Sequence, residues 1–190
     1  MNEEQAFAAV KKSLKKRRYE HTIRVTEETE RLAQRFNVNV EKARLAAILH
    51  DYAKYRPVEE MRKTIKEENL PGNLLNFGDE ILHAFVGAFY VAKELNVDDL
   101  GVLDAIRYHT TGRANMSNLE KVVFLADYIE PGRSFAGIDE VRLAAETNLD
   151  KACFLALRNT INFLVLKQQP VYPETFEAYN DYAIVFKGRS

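Results

Sequence analysis

The stretch Leu45-Ala46-Ala47-Ile48-Leu49-His50-Asp51-Tyr52-Ala53-Lys54 joins an apolar run to an imidazole and a carboxylate standing side by side. Such a pair at the end of an apolar helix is costly to bury unless something satisfies it. Two residues far off in sequence offer matching chemistry: His21 in Arg18-Tyr19-Glu20-His21-Thr22 and Asp127 in Phe124-Leu125-Ala126-Asp127-Tyr128. Together, His21, His50, Asp51 and Asp127 supply two imidazoles and two carboxylates, a set suited to a divalent metal. Consecutive helical residues point about 100° apart, so His50 and Asp51 cannot share one face. At the inner end of a core helix they can still bracket one small ion.

Working outward, the hydrophobic spacing is helical almost throughout. Phe7, Val10 and Leu14 form one stripe, and His21, Val25, Leu32 and Phe36 form another. Asn39 predicts an N-cap for a helix over about 40–53, and Pro57 opens a short charged helix carrying Val58, Met61 and Ile65. Leu70 to Gly78 reads as a loop. Further helices are expected near 80–95, 98–109, 119–130 and 149–167, the last capped by Asn148. Only Pro170-Val171-Tyr172-Pro173 and the tail Tyr182-Ala183-Ile184-Val185-Phe186 hint at extended chain. With no repeat and no linker long enough to divide it, the chain is expected to form one all-α domain over 1–190. Helices from three segments would place ligands around a central cavity, as metal sites in helical bundles do.

Composition narrows the function classes. A 190-residue chain with 46% hydrophobic and 29% charged residues is expected to be soluble and globular. Its net charge of −1 argues against a general nucleic-acid or anionic-membrane binder. The run Lys11-Lys12-Ser13-Leu14-Lys15-Lys16-Arg17-Arg18 keeps RNA or DNA binding as a rival reading, against a solvated basic helix face near a substrate entrance. The acidic start, Met1-Asn2-Glu3-Glu4-Gln5, lacks the order of a signal peptide. No apolar stretch reaches the ~18 residues of a membrane span, so a cytoplasmic protein is expected. Cys153, the one cysteine, sits in Ala152-Cys153-Phe154-Leu155 and reads as a buried small hydrophobe rather than a nucleophile.

His83, after Ile81-Leu82, and His109, ending the stripe Val102-Ala105-Ile106, also lie on inward faces. Singly, each has an ordinary reading as a hydrogen-bonded core histidine. Four histidines in inward positions favour a shared site, and the nitrogen-and-carboxylate mix favours iron, manganese, zinc or nickel over magnesium or calcium. A tetrahedral structural zinc is disfavoured without cysteine ligands.

The ordered elements His21, His50-Asp51, His83, His109 and Asp127 resemble the HD superfamily of metal-dependent phosphohydrolases. The blocks Arg18-Tyr19-Glu20-His21, Leu49-His50-Asp51-Tyr52-Ala53-Lys54, Ile81-Leu82-His83, Tyr108-His109-Thr110-Thr111-Gly112 and Ala126-Asp127-Tyr128-Ile129-Glu130-Pro131-Gly132-Arg133 resemble its YqeK branch, the symmetrical bis(5'-nucleosyl)-tetraphosphatases. These blocks span 18–133, and Tyr172-Pro173-Glu174-Thr175 extends the likeness into 134–190. The resemblance implies one HD-domain bundle and one or two divalent ions, iron foremost with manganese, zinc, nickel or magnesium as alternatives. The ion would be held by His21, His50, Asp51 and Asp127. It implies symmetrical cleavage of diadenosine tetraphosphate into two ADP, and a homodimer.

A divalent ion lowers the pKa of a coordinated water and polarises a phosphoryl oxygen. A polyphosphate needs cations in place, and Arg18, Lys54 and Arg133 flank the expected ligands; each could equally be a solvated surface charge. His50, Asp51, His83, His109 and Asp127 are the expected catalytic residues. His83 and His109 would contact phosphate, donate a proton to the departing nucleotide, or complete a second metal position bridged by Asp51. Thr110 offers a phosphate a hydroxyl, or simply ends a helix. His21, Asp51 and Asp127 would also touch substrate. Pro170, Tyr172 and Thr175 form an expected nucleotide-contacting lid, with Tyr172 stacking on adenine; alternatively the segment connects two helices, with Thr175 as cap. Other readings remain open: another nucleotide or a guanosine alarmone as substrate, or a nucleotide-sensing module without turnover.

Overall fold

The computed structural model describes residues 1–187 as ten α-helices without a strand. The last three positions of the expected 1–190 domain lie outside the described residues. The helices are α1 (Glu3–Ser13), α2 (Lys16–Arg35), α3 (Val40–Leu49), α4 (Val58–Glu67) and α5 (Leu82–Leu95). They continue with α6 (Leu100–Tyr108), α7 (Asn118–Ile129), α8 (Ile138–Ala145), α9 (Leu149–Leu166) and α10 (Pro173–Lys187).

Local chemistry sets most starts. Asn39, Asp99, Ser117 and Asn148 each accept a hydrogen bond from the backbone N–H three residues on, satisfying one of the donors a helix N-terminus leaves unpaired. At α7 the cap is reciprocal, because Glu120 accepts in return from the Ser117 backbone. Asn96 ends α5 in a left-handed conformation, which asparagine tolerates better than most residues.

Helix α3 packs between α2 and α6, and α7 closes against α2 and α6. Their shared interior holds Leu32, Ile48, Leu49, Ile106 and Leu125, all fully buried. The inner ends of α2, α3, α5, α6 and α7 therefore face one polar pocket inside an apolar bundle. Gly112, with φ of +63°, ends the Thr110-Thr111-Gly112 turn after α6. A Cβ there would also press Leu157 Cδ2 at 3.3 Å.

Several expectations change. Helix α3 stops at Leu49 rather than near 53, and the chain leaves through tight turns in which Tyr52, Lys54 and Arg56 donate to carbonyls three residues back. Those turns let His50 and Asp51, which one straight helix would have splayed, both face inward. The tail 182–186 is helical, not extended. Its β-branched and aromatic residues suggested a strand, but Thr175, Ala178 and Tyr182 lie on one buried stripe of α10, which packs on α9. Tertiary burial outweighed local propensity. The expected 70–78 loop contains a short 3-10 turn, Gly72–Asn76. Helix α8 had no expectation: it is short and its periodic signal spans barely two turns. Thr175 is not the cap of α10, since the helix starts at Pro173 and the Thr175 N–H bonds back to the Tyr172 carbonyl. Cys153 is buried, as expected, and burial pushes its thiol up to about 12.

Candidate metal centre

His50 and His109 are the residues just past the ends of α3 and α6. Each Nδ1 lies against a carbonyl three residues back, 2.6 Å from Ala47 O and 2.7 Å from Ile106 O. His83, in the first turn of α5, does the same to Glu80 O at 2.6 Å. A carbonyl only accepts, so all three Nδ1 atoms carry the hydrogen. His21 Nδ1 faces the Glu130 carboxylate at 3.0 Å. The result is four Nε2 atoms turned into one pocket.

The carboxylates meet them there. His50 Nε2 lies 2.9 Å from Asp51 Oδ2, and His21 Nε2 is 3.0 Å from Asp127 Oδ1 and 3.8 Å from Asp51 Oδ2. His83 Nε2 is 3.2 Å from Asp51 Oδ1 and 3.2 Å from His109 Nε2. Despite these separations, His21 Nε2, His50 Nε2 and Asp51 Oδ1 are buried with no hydrogen bond of acceptable geometry. Donor atoms this close, buried and left without well-oriented hydrogen bonds, fit the ligand shell of a cation. His21, His50 and Asp127, and likewise His50, Asp51 and His109, bring ligand atoms within 4.8 Å of one another. The cluster thus suits a divalent metal.

Electrostatics agree. Burial opposes ionisation of Asp51 and Asp127. His50 and His83 beside Asp51, and His21, His50 and Arg133 around Asp127, outweigh it and hold both carboxyls well below their usual range. Burial also disfavours the charged form of His50, but the Asp51 carboxylate prevails and raises its pKa. Burial, reinforced by His50 and His83, drives His109 well below the ordinary imidazole value, leaving it neutral.

Cations surround the cluster where the sequence placed them. Arg18 Nε bonds Asp51, and Arg133 Nη2 donates to Asp127 Oδ1 at 2.7 Å after the turn through Pro131-Gly132. Lys54 Nζ sits 3.1 Å from Glu80 and 3.5 Å from His83 Nδ1. Thr110 Oγ1 is 3.0 Å from His109 Nε2. Pro170, Tyr172 and Thr175 line a cavity of about 300 Å³ with Phe77, Thr110 and Leu164. Tyr172, however, is 3% exposed, its ring edge-on to Phe77 and Phe85. The open stacking face expected of it is committed to the core, and the cavity meets only its margin.

Glu130 and Arg24 had no expected role. Glu130 is buried and accepts from His21, from Arg24 Nε at 2.6 Å and from the Gly132 N–H at 2.6 Å. It fixes the ring of His21 as carboxylate partners of metal-bound histidines do. A Cβ on Gly132 would lie 2.6 Å from the Arg24 guanidinium, so this glycine gives Arg24 room. The available signal was a glutamate three residues beyond Asp127 on an apolar helix.

This bundle, with its histidine and aspartate donors converging from several helices, defines a class: the chain belongs to the HD-domain family, whose model matches residues 18–132. More particularly, it is 52% identical, over 95% of its length and 97% of the relative's, to a symmetrical bis(5'-nucleosyl)-tetraphosphatase of Bacillus subtilis. The corresponding protein of Staphylococcus aureus is 40% identical over 96% and 95% of the two chains. A crystal structure of a predicted HD superfamily hydrolase involved in NAD metabolism from Clostridium acetobutylicum superposes with a TM-score of 0.91. It shares 37% identity and covers 100% of this chain and 99% of the other.

Proposed function

We propose that this protein is a metal-dependent hydrolase that cleaves diadenosine tetraphosphate symmetrically into two ADP. The observation that carries the reading is the convergence of four Nε2 atoms and two carboxylates, flanked by Arg18, Lys54 and Arg133. The naming of relatives across nearly the whole chain supports the substrate. His21, His50, Asp51 and Asp127 would hold the ion, which would supply a water activated near neutral pH and polarise a phosphoryl oxygen. The family resemblance supports iron; the nitrogen-and-carboxylate donor set fits iron, manganese, zinc or nickel alike, and metal analysis decides among these and magnesium.

The remaining residues prepare the substrate. Arg18, Lys54 and Arg133 offset the charge of four phosphates before reaction. Thr110 donates its hydroxyl, and Pro170, the rim of Tyr172 and Thr175 border the space for one nucleoside. His109, held neutral with its hydrogen on Nδ1, presents a lone pair and accepts. His83 faces both Asp51 and His109 across 3.2 Å, which supports a role for it beside the phosphate and the departing ADP. A second ion at His83 and His109, with Asp51 shared, is the other use of that contact; a metal-to-protein ratio near two would favour it. We further infer one HD domain over the whole chain, a cytoplasmic location and a homodimer. No helix among the described residues is long and apolar enough to cross a membrane.

Chromatography of the products tests the function. Symmetrical cleavage gives ADP alone, whereas AMP with ATP would mean asymmetrical cleavage. Tight nucleotide binding without turnover by metal-loaded protein would make it a sensor.

A further inference from the structure

A substrate cut at its middle must send two equal ADP halves away from the reacting phosphate in different directions. One half has a seat in the cavity beside Pro170 and Tyr172. From the geometry on the opposite side of the cluster, and resting on the function proposed above, we infer that a second nucleoside-diphosphate seat lies in a cleft lined by Arg17, Arg18, Arg24, Arg133 and Tyr55.

Position is the first argument. The His50 ring stands between His109 and His21, at centroid separations of 4.9 and 5.6 Å. The first cavity opens at Thr110, beside His109, and the arginine cleft opens at His21. A smaller space lined by His109, Thr110, Asp127 and Arg133 adjoins both, sharing Thr110 with one and Arg133 with the other. The three spaces follow one another past the cluster. Each end encloses about 300 Å³, as two identical halves require.

Charge and shape are the second. Four guanidinium groups converge on the cleft. Arg18 reaches through to Asp51, Arg133 to Asp127 and Arg24 to Glu130, which fixes them in place. Arg17 has no carboxylate partner among the described residues and is exposed, leaving its charge free for a phosphate. Tyr55 stands at the rim, 44% exposed, with Lys15 Nζ 4.7 Å above its ring. A large aromatic left open beside arginines provides the base platform that the buried Tyr172 cannot.

Equilibrium dialysis with labelled ADP, alongside Michaelis kinetics on diadenosine tetraphosphate, tests the inference. Wild-type protein should bind two ADP per chain, and Tyr55→Ala and Arg17→Glu should each bind one with unchanged circular dichroism. Tyr55→Ala should raise KM for the tetraphosphate about tenfold, the scale of one lost base stack, with the change falling on KM rather than kcat. One ADP per chain in the wild type overturns the second seat. Two per chain in both variants, or an unchanged KM, overturns its location. If the wild type binds two ADP but does not cleave the tetraphosphate, the proposed function fails while the second seat stands.

Discussion

Glu130→Gln should be among the more destabilising isosteric changes in this protein, and the structure says by how much. Three donors meet on this buried carboxylate: His21 Nδ1–H, Arg24 Nε–H and the Gly132 N–H. A carboxamide has one accepting oxygen and turns its own N–H groups toward the remaining donors, so at least one contact becomes repulsive. Burial opposes the charge, but Arg24, His21 and the Gly132 N–H together bring the carboxyl from its ordinary 4.5 down to about 2. At ~1.36 kcal/mol per tenfold in the ionisation constant, that gap is worth about 3 kcal/mol at pH 7. The folded group ionises at lower pH than the unfolded one. Its contribution is therefore complete above about pH 5 and lost as pH falls toward 2. Urea titrations in the presence of a chelator, which removes any metal contribution, should show the variant weaker by about 3 kcal/mol at pH 7. The difference should shrink to less than half near pH 3. In heat, the same loss corresponds to roughly 6–12 °C for a chain of this size. Equal urea midpoints at pH 7, or a difference that stays constant down to pH 3, would refute the reasoning.

Other consequences are simpler to check. His50→Ala and Asp51→Asn should each lower bound metal and turnover by more than about 100-fold, beyond the usual cost of losing a group behind the ligands; metal analysis and product formation read both, and full turnover in either variant would remove these residues from the site. Ser117→Ala breaks the reciprocal cap of α7 and should cost about 1 kcal/mol, seen as a fall in Tm of roughly 2–4 °C. Gly112→Ala forces a side chain into a left-handed conformation against Leu157 and should cost about 1 kcal/mol or more, with Tm again the readout. The Cys153 thiol, buried and raised to about 12, should ignore an aromatic disulfide reagent at pH 8 until urea unfolds the chain.

Most helices and the four clustered positions His21, His50, Asp51 and Asp127 were legible in sequence, because both depend on local patterns. Capping residues announced the starts of α3 and α9, and the 3.6-residue stripe carried His21, Val25 and Leu32 to one side. The end of α3 was not legible. Nothing in Ala47 to Ala53 forbids another helical turn; the chain turns because His50 and Asp51 gain partners from α2, α5 and α6 that a longer helix would deny them. Glu130 was missed for a related reason, since its value comes from His21 and Arg24, more than a hundred residues earlier. Tyr172 misled in the other direction. An aromatic between prolines reads as an open platform, but Phe77 and Phe85 enclose it.

By itself the sequence determined the helical class, the starts of α3 and α9 and the residue types able to hold a cation, since these follow from periodicity, caps and side-chain chemistry. Tertiary packing alone decided which nitrogen of each histidine faces inward, which carboxylate steadies His21, and which tyrosine remains open to a ligand. Those outcomes depend on atoms brought together from distant segments, and a side chain's protonation and exposure are properties of its neighbours in space.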